Sequence, residues 1–207
     1  QDWGEVEYLQ ALQMQMDLVD LVHREHARET IVFCSHPPVV TLGRGTKEGD
    51  VFGWNGSIVE INRGGRATYH GPNQLIAYPI LDLNQRGRDL HKYMRQLEDA
   101  VIQTVADYGI HAAGRSRQLN DEGELLSATG VWVGESKLAS IGIGVRHWIS
   151  FHGLAINVER DSRAFTGMKP CGFSSSIMTS MEDLLGHQVD REQLKQTLFR
   201  HLEESVG

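Results

Sequence analysis

Residues 129–158 read TGVWVGESKLASIGIGVRHWISFHGLAINV. Segments 131–133 and 137–145 read as strands, and Gly134–Glu135–Ser136 between them has the composition of a hairpin turn. A third strand is expected over 149–158. Towards the C-terminus the pattern becomes helical. Thr179 with Glu182 has capping-box spacing before Leu184 and Leu185, and Asp190 with Gln193 repeats it before Leu194, Leu198 and Leu202. Towards the N-terminus, Leu90, Tyr93, Leu97, Val101 and Val105 share one face of a helix expected over 89–108 and stopped by Gly109. Val6, Leu9, Leu12, Met16, Val19 and Val22 mark an earlier helix over 6–28. Between these helices, 30–35, 39–43, 57–62 and 74–83 read as strands, and 44–57 as loop. His36–Pro37–Pro38 separates the first two strands, because proline removes a donor and restricts the residue before it. Strands and helices mix without a regular βαβ alternation. The expected class is α+β, a mixed β-sheet with packed helices.

The 207 residues contain no repeat or linker, so one domain over 1–207 is expected at roughly 150 residues per domain. Apolar residues make up 40% and charged residues 23%, values of a chain that folds. Twenty-seven acidic against 20 basic residues give a net charge of −7, which argues against a general nucleic-acid binder. No apolar run approaches the ~18 residues of a membrane-spanning helix. The opening Gln1–Asp2–Trp3–Gly4–Glu5 has neither a basic nor an apolar region, so no secretory leader is expected. Two cysteines, Cys34 and Cys171, are too few for a disulfide framework, and a reducing cytoplasm is the expected compartment.

Three segments concentrate small, polar and reactive residues. In Arg63–Gly64–Gly65–Arg66–Ala67–Thr68–Tyr69–His70–Gly71–Pro72–Asn73–Gln74, paired glycines allow close backbone approach while the arginines, threonine, tyrosine and histidine supply donors. A decorated β-turn accounts for the same glycines. In Lys137–Leu138–Ala139–Ser140–Ile141–Gly142, a lysine opens an otherwise apolar strand. A desolvated ammonium there suits proton transfer, whereas a lysine snorkelling into water does not. His152, further on, reads equally well as a hydrogen-bonded structural residue. In Lys169–Pro170–Cys171–Gly172–Phe173–Ser174, a cysteine between proline and glycine lies on a loop, where a thiolate can act as nucleophile. Cys34, inside an apolar strand, is expected to pack. No dinucleotide loop, Walker loop, zinc motif or Gly–x–Ser–x–Gly elbow occurs. His23 and His26 share a helix face that reads as solvated.

These segments, with His36–Pro37–Pro38–Val39–Val40–Thr41–Leu42–Gly43–Arg44, Gly130–Val131–Trp132–Val133, His152–Gly153–Leu154–Ala155–Ile156–Asn157–Val158 and Pro170–Cys171–Gly172, run in one order over nearly the whole chain. In that order they resemble the octanoyl-(acyl carrier protein):protein N-octanoyltransferases of lipoate biosynthesis. The resemblance implies the fold of biotin and lipoate protein ligase catalytic domains. It implies transfer of octanoate from octanoyl-acyl carrier protein to a lysine of lipoyl domains, such as the glycine-cleavage H protein and 2-oxoacid dehydrogenase subunits. It implies neither ATP nor a metal, because the donor thioester is already activated. By the same resemblance Cys171 is the nucleophile and Lys137 its proton-transferring partner. Arg63, Gly64, Gly65, Arg66, Ala67, Thr68, Tyr69, His70, Ser140, Ile141, Gly142, Gly153, Leu154 and Ala155 would line the acyl pocket. Backbone N–H groups around Cys171 or Gly142 are candidate oxyanion donors.

Two positions depart from the family. Asn73 replaces a glycine, and the turn is expected to survive because asparagine tolerates positive φ. Phe173 stands where a smaller aliphatic is common and is expected to reshape a pocket wall. An ATP-dependent lipoate ligase, an amidotransferase between lipoyl proteins and a silent binding module are the competing readings. An acidic carrier needs a basic patch on this acidic chain, for which Lys47, Arg63, Arg66, Arg146 and Lys169 are candidates. A monomer is expected.

Overall fold

Strand pairing over 129–158 forms the middle of the main sheet. The computed structural model describes every residue except His26, Asp121 and Glu122, so the reading of His26 lies outside the described residues. From the N-terminus, β1 (Asp2–Glu5) leads into α1 (Tyr8–Glu25), followed by β2 (Thr30–Ser35), β3 (Val39–Leu42), β4 (Ser57–Glu60), β5 (Thr68–His70) and β6 (Gln74–Ile80). Then come α2 (Leu90–Ala106), β7 (Ala113–Gly114), β8 (Arg117–Leu119), β9 (Leu125–Ser127), β10 (Gly130–Val133), β11 (Ser136–Arg146) and β12 (Ile149–Asn157). Two helices close the chain, α3 (Met181–Leu185) and α4 (Arg191–Val206).

Seven strands form the main sheet in the order β1-β2-β6-β12-β11-β10-β7. Its neighbours are antiparallel except β1 and β2, which run parallel. A smaller sheet, β4-β3-β5, stands apart and carries the 63–74 motif on its edge. Among the described residues, the hairpin β8-β9 pairs only with itself.

Alternation along the strands assigns the two faces. Phe33, Leu75, Ala77, Leu154 and Ile156 face α2 and α4, whose Leu97, Val101, Leu194, Leu198 and Leu202 cover them. Val32, Cys34, Ile76, Tyr78, Ile149 and Ala155 face α1 through Ala11, Val19 and Val22. Each fully buried leucine or valine contributes about 1.5–3 kcal/mol, so three helices on two faces fix the sheet. Asp89 caps α2 by accepting from the Lys92 N–H, and Asp190 caps α4 by accepting from the Glu192 and Gln193 N–H groups.

Some elements differ from the sequence reading. The cap of α3 is Ser180, one residue after Thr179, and its hydroxyl accepts from the Asp183 N–H. Thr179 instead uses its backbone, donating N–H to the Lys137 carbonyl. Asn73 is absent from the residues with positive φ, so the turn there makes no use of asparagine's tolerance. Its carbonyl accepts from the Val158 and Glu159 N–H groups. Strands β1, β5, β7, β8 and β9 are too short for a readable period.

Candidate active site

Cys171 sits in a single 3-10 turn, Pro170–Gly172, with φ +54° and ψ +20°. That left-handed conformation is costly for a residue with a side chain and needs outside support. Its N–H donates to the Ala67 carbonyl at 2.8 Å, which hangs the nucleophile loop on the start of β5. The Gly172 N–H donates to Lys169. Both groups are therefore already bonded and do not serve as free oxyanion donors. Gly172 itself has φ +86°, and a Cβ there would lie 2.3 Å from Arg66 Nη1, so a side chain at this position would displace the Arg66 guanidinium.

Lys137 reaches the same point from the main sheet. Val131 pairs with Ala139, but Trp132 pairs with Lys137, leaving Leu138 as an extra residue in β11. Such a bulge breaks the two-residue alternation and re-aims the side chains beside it. Lys137 is 2% exposed, and its Nζ lies 3.8 Å from Cys171 Sγ. The lysine does not snorkel into water. Its stem crosses Gly130, where a Cβ would meet Lys137 Cε at 2.8 Å. Among the described residues no carboxylate lies within 4 Å of the ammonium. Glu98, half-buried with its carboxyl pushed up by burial, accepts from the Gly130 N–H nearby.

Two pockets meet at Cys171. One is a narrow cavity of about 40 Å³, walled by Arg63, Thr68 and His70, by Ser140–Gly142 of β11, and by His152–Ala155 of β12. Tyr8 and Tyr78 complete it. The second, about 230 Å³, is lined by Arg63–Arg66, Met94, Ser127, Thr129, Ile141–Ile143 and Cys171.

Most of the residues expected at the site converge there, distributed over two pockets rather than one. Gly64, Gly65 and Arg66 line the second pocket, and the remaining convergent residues line the first. Ala67 and Tyr69 do not line either one. Strand alternation in β5 turns them into a separate cluster with Val40, Phe165 and Met168, where Tyr69 meets Phe165 at 5.1 Å. Phe173 likewise lines neither pocket. It packs edge-on against Trp132 at 5.8 Å. The sequence reading did not place Tyr8, Tyr78, Met94 or Trp132 at the site. Tyr8, Tyr78 and Met94 sit on elements that read as plain helix or strand, and Trp132 falls in the Gly130–Val133 motif, which carried no role for it.

A hydrogen-bond relay links the segments. His70 Nδ1 donates to Gln74 Oε1, Gln74 Nε2 donates to Asn157 Oδ1, and Asn157 Nδ2 donates to the Thr179 carbonyl. The Thr179 N–H then donates to the Lys137 carbonyl, so the relay ends at the candidate base. His36 donates from Nδ1 to the Val6 carbonyl at 2.6 Å, and its Nε2 accepts from Tyr78. Burial lowers His36 and drives His70 well below the usual imidazole range, and it lowers His152 to about 3. The histidine wall is thus neutral. Arg63, 7% exposed, carries charge there and donates to the Gly64 and Arg66 carbonyls and to Thr41 Oγ1. Burial pushes the Cys34 thiol up to about 12, leaving it inert.

The candidate basic patch is reduced by the structure. Arg63 is buried, Arg66 is held by the buried Asp50, and Lys47 pairs with Glu124. Arg146 lies 3.6 Å from Asp20.

The family model for the lipoyl protein ligase A/B catalytic domain matches residues 7–203. This chain belongs to the lipoyl protein ligase A/B catalytic-domain family. Within the family, an octanoyltransferase of Bdellovibrio bacteriovorus is 48% identical over 211 residues, covering 99% of this chain and 96% of its own. One from Geobacter metallireducens is 40% identical over 188 residues, covering 91% and 84%. With these relatives the chain is an acyltransferase of lipoate biosynthesis. Its fold is that of lipoate-protein ligase A bound with ATP, at a TM-score of 0.70 and 18% identity over 100% of this chain and 83% of that one. A biotin protein ligase from Aquifex aeolicus aligns at 0.59 and 12% identity, covering 99% and 68%.

Proposed function

We propose that residues 1–207 form one catalytic domain, acting as a cytoplasmic monomer. It moves an octanoyl group from octanoyl-acyl carrier protein, through a thioester on Cys171, to a lysine of a lipoyl domain. Lipoyl-domain acceptors include the glycine-cleavage H protein and 2-oxoacid dehydrogenase subunits. The reading rests on one observation above all: the buried Lys137 ammonium lies 3.8 Å from Cys171 Sγ where two pockets meet.

The Cys171 thiolate attacks the donor thioester carbon. The carrier thiolate leaves with its electron pair and takes a proton from Lys137. This exchange replaces one thioester by another and is nearly isoenergetic. The acceptor lysine, as a neutral amine, then attacks the octanoyl-Cys171 carbon. Its proton passes to Lys137, the Cys171 thiolate is released, and a more stable amide remains. The narrow pocket with Ile141, Leu154 and Ala155 suits an eight-carbon chain, each buried methylene contributing about 0.8 kcal/mol. Arg63 and Arg66 supply positive charge near the developing oxyanion.

Intact-protein mass spectrometry with octanoyl-acyl carrier protein and no acceptor tests the reading. A gain of one octanoyl group is expected, labile to hydroxylamine and missing from Cys171→Ala. No adduct, with octanoate and ATP still modifying a lipoyl domain, would transfer the assignment to a ligase.

A further inference from the structure

Trp132 lies opposite Lys137 across β10 and β11 because of the extra residue at Leu138. Lys137 Nζ sits 5.6 Å from the indole centroid, and the Arg115 guanidinium carbon sits 5.0 Å from it. The ring is fixed: it is 1% exposed, its Nε1 donates to the Ala128 carbonyl at 2.8 Å, and Phe173 meets it edge-on. The two cations differ in their other partners. Arg115 has Glu135 at 2.9 Å, whereas the Lys137 ammonium has the Cys171 sulfur and the indole. Once Cys171 is acylated its sulfur carries no charge, and the ammonium keeps the indole face at 5.6 Å, with the Glu98 carboxyl more than 4 Å away. A desolvated aromatic face attracts an ammonium more strongly than an exposed one.

We propose that Trp132 is a positioning residue for acyl transfer, its indole face holding Lys137 beside Cys171 and favouring the ammonium as it forms. The proposal rests on the acyl-enzyme reading above. It concerns the second half-reaction. There the acceptor nitrogen bonds to the acyl carbon, the C–S bond returns its pair to Cys171, and the amine proton passes to Lys137.

The test uses the full chain with Trp3, Trp54 and Trp148 replaced by phenylalanine, so that Trp132 is the remaining tryptophan. Biosynthetic incorporation of 5-fluoro-, 5,7-difluoro- and 4,5,6,7-tetrafluorotryptophan drains the π face while nearly keeping the ring's shape. Octanoyl transfer from isolated octanoyl-enzyme to a lipoyl domain is followed in single turnover. A stepwise fall reaching about tenfold is expected, the size of a desolvated cation–π contact. Trp132→Phe is expected to stay within about threefold and Trp132→Leu to match the tetrafluoro enzyme. Equal rates across the fluorinated series overturn the proposal even if Trp132→Leu is slow or fails to fold, because packing is then its whole role. Absence of octanoyl-enzyme in the unsubstituted chain overturns the acyl-enzyme reading and this proposal with it.

Discussion

Cys171 holds a left-handed backbone that costs an L-residue about 1–3 kcal/mol. Glycine pays nothing for that conformation. Cys171→Gly should therefore be more stable than Cys171→Ala by about 1 kcal/mol in urea unfolding, although both should lose transfer by at least ~10³-fold. Equal stabilities would mean that the loop relaxes to another conformation. Lys137 makes the complementary case. An ammonium buried without a carboxylate is a burden on folding, so Lys137→Met should melt no lower than the native protein while transfer falls about 10²–10⁴-fold. A lower melting temperature would show that the ammonium stabilises the fold. The histidines give a pH signature. His36, His70 and His152 are neutral when folded but ordinary bases when unfolded, so the unfolded chain binds more protons below about pH 6.5. Stability should then fall as pH drops below about 6.5, His152 alone contributing up to about 1.4 kcal/mol per pH unit until its folded value of about 3 is reached. Replacing His152 by glutamine should flatten that slope in urea titrations at successive pH values.

At the scale of elements, the helices and long strands were legible because their apolar periods are long enough to count. Thr30–Ser35 agrees residue for residue with its expectation, and α2 lies inside its expected range. The cap of α3 was misplaced by one residue, because Thr179 and Ser180 are both good caps and only the backbone bond from Thr179 to Lys137 decides between them. Ser180→Ala should therefore cost about 1 kcal/mol in urea unfolding and Thr179→Ala under half of that. The reverse order would place the cap at Thr179. The bulge at Leu138 left no trace in the sequence, since a one-residue slip changes no composition. It nevertheless decides that Lys137 and Trp132 share a face. The same limit applies to β5, where three residues carry no readable alternation, so Ala67 and Tyr69 were grouped with Thr68 and His70.

At the scale of the whole molecule, the site joins the main sheet to the small one. Cys171 hangs on β5 through Ala67, Lys137 comes from β11, and the relay from His70 to Thr179 crosses between them. Motif order identified these segments, but not that they fill two pockets, since pocket shape depends on elements far apart in the chain. Net charge does not tell which basic side chains are already paired. The acidic excess is a total over the whole sequence, while the ion pairs of Lys47 and Arg66 are local. Among the described residues, no helix is long and apolar enough to cross a membrane.

The meeting of two pockets at one sulfur has a use in inhibitor chemistry. Fragments can be selected separately for the aliphatic arm beside Leu154 and for the arm beside Met94. Joined through a mild electrophile aimed at Cys171, the second fragment binds at the effective concentration set by the first. Cys34, too basic and too buried to compete, leaves such a reagent a single address.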